Sequence, residues 1–105
     1  MTDIKTLNDN FRKTFIGGTV VLTQGIKDKS DQDIAAILSK IVFFNDFTEE
    51  NDPYGEHDFG KITYKQQIIY WKIDYYDETM QYLSENPSNP EITNRVMTVM
   101  LAEEY

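Results

Sequence analysis

The chain predicts a small α+β domain, an antiparallel sheet of about three strands covered by three helices in the order α-β-α-β-β-α. Three observations carry this. Ile4, Leu7, Phe11 and Phe15 recur at helical spacing. Ile69, Trp71, Ile73 and Tyr75 alternate strictly with Tyr70, Lys72, Asp74 and Tyr76, the period of a strand with one face inward. The 105 residues are 40% hydrophobic and 13% aromatic, which fits one globular domain and excludes a disordered, coiled-coil or collagen-like chain.

Thr2 or Asp3 caps a first helix that runs to about Phe15, with Lys5, Asp9, Arg12 and Lys13 facing water. Gly17-Gly18 ends it and supplies a turn. Thr19–Thr23 is a short β-branched strand, and Gly25–Lys29 reads as a loop. Ser30 with Asp33 resembles a capping box and opens a second helix, with Ile34, Ile37, Leu38 and Ile41 inward, ending near Phe43 or Phe44. An acidic loop over 45–55 leads to a hairpin of His57–Tyr64 and Gln67–Tyr76 about Lys65-Gln66. Asp77–Pro87 is mostly loop. Asn89, Pro90 and Glu91 then have the chemistry of a helix start, and a third helix is expected to pack Ile92, Val96, Val99 and Met100.

Composition limits the function. There is no Cys, so disulfides, thiolate metal sites and thiol nucleophiles are excluded. The longest apolar runs are far too short to span a membrane, and Met1–Lys5 has no basic region leading into an apolar stretch. The cytoplasm is the expected compartment. Net charge is −8 and uneven: residues 1–45 carry five acids and six bases, residues 46–105 thirteen acids and four bases. Two stretches, Asp46–Asp58 and Ile73–Asn94, hold acids and no base. Direct nucleic-acid binding needs Lys/Arg clusters and is not expected; a basic partner is.

The only His, His57, lies between Glu56 and Asp58. A carboxylate partner can tune a His for acid–base work. A small enzyme or metal-dependent module using His57 with Asp52, Glu56, Asp58 and Asp74 is therefore one alternative. One imidazole is a poor basis for a zinc site, and the EF-hand spacing fails at Asn51 and His57. No Gly-x-Ser-x-Gly, P-loop or His-Glu-x-x-His pattern occurs. No catalytic residue, metal or cofactor is assigned. Tyr70 and Tyr76, with Tyr54, Tyr64 and Tyr82, offer an aromatic patch beside carboxylates, and pairing of copies through it is a second alternative.

Three segments, Asn51–Gly60, Trp71–Asp77 and Arg95–Tyr105, together with Leu7–Arg12, resemble the bacterial family called domain of unknown function 3768. The resemblance implies a place on plasmids and other mobile elements and brings no established activity. Combined with the acidity, it leads to an expectation: a protein that inhibits a nucleic-acid-binding host defence complex, of the anti-CRISPR or anti-restriction type, by mimicking nucleic acid. The partner is then a basic nucleic-acid-binding protein, and the inhibitor a monomer or homodimer. The expected binding surface is Asp46, Glu49, Glu50, Asp52, Glu56 and Asp58 with Tyr54, extended by Asp74, Tyr76 and Asp77.

Overall fold

The computed structural model describes residues 3–105; Thr2, one of the two expected caps, lies outside them. Helix α1 (Ile4–Thr14) starts on Asp3, whose carboxylate accepts the Thr6 N–H at 2.8 Å. It ends one residue before the expected point, because Phe15 turns left-handed at φ 60°. Strand β1 (Thr19–Leu22) follows. The expected loop at 25–29 contains instead a single helical turn, α2 (Gln24–Lys27). Ile26 is fully buried, and that burial holds the turn in place. Helix α3 (Asp31–Val42) opens as expected on Ser30, whose hydroxyl accepts the Asp33 N–H. Strands β2 (Phe59–Tyr64) and β3 (Gln67–Tyr76) form the expected hairpin. Its two turn residues, Lys65 and Gln66, both have positive φ (47° and 69°), the geometry of a type I′ turn, here without Asn or Gly.

The largest correction is at the C-terminal end. Residues 94–101 form a strand, β4 (Asn94–Leu101), and not a helix. Asn89 does accept the Glu91 N–H, but the result is a turn that feeds β4. Strand β4 lies between β1 and β3, so the sheet has four strands in the order β1-β4-β3-β2. It is mixed: β1 runs parallel to β4, while the other pairs are antiparallel. The element order is thus α-β-α-α-β-β-β. A central strand packed on both faces reads as a nearly continuous apolar run, and Arg95–Leu101 is such a run. Its spacing fits a helical stripe equally well.

Alternation sorts the sheet into two faces. Ile69, Trp71, Ile73, Met97, Val99 and Leu101 join Phe11 of α1, Ile26 of α2 and Ile37 and Ile41 of α3 in one core. Tyr70, Lys72, Asp74 and Tyr76 take the opposite face, beside Val96, Thr98 and Met100. There the Tyr105 ring lies against Tyr70 and Phe59, at 5.5 and 6.3 Å between centroids. Arg12 was expected in water and is buried, as is Asn8 one turn earlier. Both share the inner stripe of α1 with Phe11. Arg12 donates to the carbonyls of Ile41, Val42 and Phe44 at 2.9–3.0 Å, so it caps the last turn of α3. Among the described residues, no helix is long and apolar enough to cross a membrane.

Candidate binding surface

The acidic loop is ordered by its own polar groups. Asn51 donates to the Asp46 carbonyl and accepts the Thr48 N–H, and the Asp52 N–H reaches the Thr48 carbonyl at 2.8 Å. This winds 46–52 into a tight turn and leaves Asp46, Glu49 and Glu50 exposed. None of these three makes an ion pair among the described residues. Tyr54, 86% exposed, stands at the tip beside Gly55, whose φ of 66° meets the expected left-handed turn.

Asp52 is turned inward rather than presented. Its Oδ1 accepts the N–H groups of Glu56 and His57 at 2.9 and 3.1 Å. The chain at His57 is left-handed (φ 55°), and β2 starts only at Phe59, two residues later than expected. His57 Nδ1 lies 2.9 Å from Asp9 Oδ1, and Nε2 lies 3.6 Å from Asp52 Oδ2. Its ring stacks on Phe47 at 3.7 Å, nearly parallel. Both ring nitrogens thus face carboxylates of the protein. Asp9 also holds Arg12 at 3.1 Å, so the loop, α1 and the end of α3 are tied through one polar cluster.

Glu56 accepts a hydrogen bond from the Tyr75 hydroxyl at 2.7 Å, and its carbonyl accepts from Asn8. Asn8 also donates to the Tyr75 hydroxyl and accepts from Arg95 Nε at 2.9 Å. Burial, followed by the bond to Glu56, pushes the Tyr75 phenol far above its ordinary range, so it stays a donor. Asp74 pairs with Lys72 at 3.1 Å on the face of the sheet opposite the main core, where Tyr76 is half-buried. The Asp77 carboxylate is taken up by the Thr79 N–H and hydroxyl and, at 3.4 Å, by the Tyr82 N–H. Among the described residues no group of three or more His, Asp or Glu side chains is placed to hold a metal ion.

Asp58 is half-buried. Burial first, then the charge of Glu56, holds its carboxyl above the usual range. Such a group binds its proton more tightly folded than unfolded. Its stabilising share is therefore fully present below the unfolded value of 3.8 and lost as pH rises through the raised folded value. Asp58→Asn is expected to raise the melting temperature at neutral pH, with the gain disappearing below pH 3.8. A thermal-denaturation series across pH checks this; a gain that persists in acid would assign the effect elsewhere.

The two base-free stretches meet at one end of the sheet. Tyr54, Gly55 and Glu56 line one side of a hollow that Ser88, from the second stretch, closes on another, with Asp3, Ile4 and Lys5 of the α1 start beside them. Of the ten expected surface residues, Asp46, Glu49, Glu50 and Tyr54 are presented outward, whereas Asp52, Glu56, Asp74 and Asp77 are spent on internal bonds. Asn8, Asp9, Arg12, Tyr75 and Arg95 form the polar network beneath the loop, where the sequence placed Asp9 and Arg12 in water and Tyr75 in the core and gave Asn8 and Arg95 no such role. The signal for two of them was local: Asn8 and Arg12 flank Phe11 on its own stripe.

No curated protein and no solved structure matches the chain. A family model matches residues 22–104, so that Asn8, Asp9 and Arg12 lie outside the matched stretch. That model is described as "Protein of unknown function (DUF3768)", and the chain belongs to this family.

Proposed function

We propose that this protein works by binding, as an acidic inhibitor that occupies the basic, nucleic-acid-binding surface of a cytoplasmic defence complex of the anti-CRISPR or anti-restriction type. The observation that carries the reading is contact between the two base-free stretches, through the Tyr75–Glu56 bond and the hollow that Ser88 shares with Tyr54, Gly55 and Glu56. Lys5 lines the hollow itself and Lys61 of β2 is exposed, whereas three other bases offset the acids little. Lys72 is spent on Asp74, Lys65 on Asp33 of α3, and Arg95 is buried. The longest extent is 39 Å, over which one DNA strand presents about eleven phosphates at 3.4 Å spacing. The mobile-element setting implied by the family resemblance suits an inhibitor of host defence.

The test is capture on immobilised full-length protein from a nuclease-treated bacterial lysate at low and high salt. The expected result is a nucleic-acid-binding protein that elutes as salt rises, is not retained by Asp46→Lys/Glu49→Lys/Glu50→Lys, and loses its DNA or RNA when the inhibitor is added. Capture unchanged by the triple variant, or resistant to molar salt, overturns the reading. Self-pairing through the sheet face opposite the main core is a second reading, favoured by the Tyr70, Phe59 and Tyr105 ring cluster there. Light scattering at the mass of two chains, reduced by Tyr70→Ser, would support it.

A further inference from the structure

Asp77 to Ile92 forms a groove of about 480 Å³ whose lining joins Tyr82, Leu83 and Ile92 to Glu78 and Glu85. Leu83 is 75% exposed and Tyr82 69%, and Met80 beside them is 48% exposed. Tyr82 and Leu83 thus offer apolar contact at a rim of carboxylates, the arrangement of an interaction site. The side chains are held out by a polar frame. The Asp77 carboxylate takes the Thr79 N–H, while the Asp77 N–H reaches the Tyr82 carbonyl at 2.7 Å. Leu83 is bridged to Tyr76, and the Ser84 and Thr93 hydroxyls bond at 2.7 Å. Met80 holds a positive φ of 63° within this frame. No Lys or Arg lies between Ile73 and Asn94, and Glu78 and Glu85 make no ion pair among the described residues.

We infer that this groove docks a basic amphipathic segment of a partner protein, with aliphatic anchors seated between Tyr82, Leu83 and Ile92 and flanking Lys or Arg side chains on Glu78 and Glu85. The charge selects the occupant: the rim repels nucleic acid and anionic lipid alike and attracts a cationic peptide. The apolar floor demands more than charge, and an amphipathic helix supplies anchors one turn apart. This deepens the proposed function, since it adds a shape-specific contact to the general attraction of a basic surface.

The probe is a synthetic helical peptide with Leu at i and i+4 spacing and Lys elsewhere, with polylysine of equal charge as control. Binding to the full chain is read by fluorescence anisotropy and by backbone amide shifts. Amides of 77–92 are expected to move, and Leu83→Asp should weaken binding roughly tenfold or more without changing the melting temperature. Glu78→Lys/Glu85→Lys should weaken it to a similar degree. Polylysine binding as well as the peptide, or indifference to Leu83→Asp, overturns the groove. If binding then fails only with the Asp46→Lys/Glu49→Lys/Glu50→Lys variant, the groove falls while the acidic-loop reading stands; loss in Leu83→Asp alone supports the groove and removes that loop from the contact.

Discussion

Replacing Arg12 by Ala is expected to remove about 3–5 kcal/mol of folding stability, more than any exposed acid. Arg12 is 1% exposed, and its guanidinium joins three backbone carbonyls at the end of α3 to the Asp9 carboxylate. Its Cζ also lies over the Phe47 and Trp71 rings, 5.5 and 5.6 Å from their centres. Hydrogen bonds to a charged group contribute about 1.5–3 kcal/mol each before overlap, and the carbonyls left behind lose their donors together. The stem matters too, so Arg12→Met should recover part of the loss by keeping the packing. Arg12→Lys should recover less than its charge suggests, because one ammonium does not reproduce the fork. For a chain of this size each kcal/mol shifts the melting temperature by roughly 4–8 °C. Urea unfolding of the three variants measures the order; an Arg12→Ala loss below about 1 kcal/mol would show that the cap is dispensable. Because Asp9 and His57 belong to the same cluster, amides of 46–58 should also shift in Arg12→Ala.

The second large effect is steric. A Cβ at Gly60 would stand 2.3 Å from Trp71 Nε1 and 2.6 Å from its Cε2. Trp71 is fully buried and pinned edge-on by Phe44 at 5.5 Å and Phe47 at 6.2 Å, with Arg12 over its ring. It has no direction in which to give way. Gly60→Ala is expected to destabilise by about 3 kcal/mol, at the upper end of overpacking, despite the usual gain from replacing a strand glycine. Trp71→Phe should cost about 2–3 kcal/mol alone, through lost packing. The pair tests the cause. If the clash is with the indole, the double variant loses at least 1 kcal/mol less than the two single losses together. Strict additivity in denaturant unfolding would mean that Gly60 is required for another reason.

Much of the fold was legible. Helices α1 and α3 and the β2–β3 hairpin each have one wet and one dry face, and one-sided burial writes a period into the sequence. Val96, Met97, Val99 and Met100 carry no such period because β4 is packed from both sides, so a helical stripe and a central strand were indistinguishable there. The parallel pairing of β1 is hidden for the same reason, since it needs β4 as its partner. The candidate surface was half legible. Exposure of Asp46, Glu49, Glu50 and Tyr54 follows from a polar stretch punctuated by Pro53 and Gly55. The inward turn of Asp52 depends on the N–H groups of Glu56 and His57, which reach its carboxylate only once the loop has folded back over Gly55.

From residues alone came an acidic α+β fold without thiol chemistry, two helices, a hairpin, and the division of charge between the two halves of the sequence. These depend on composition and on neighbours a few positions apart, which a linear chain displays directly. The tertiary structure decided which polar groups are consumed and which remain for a partner. Arg12 finds its carbonyls 29 or more residues away, and Arg95 meets Asn8 across 87. Hydrogen bonds over such separations leave no periodic trace, so only the packed sheet and its helices determine which carboxylates stay free.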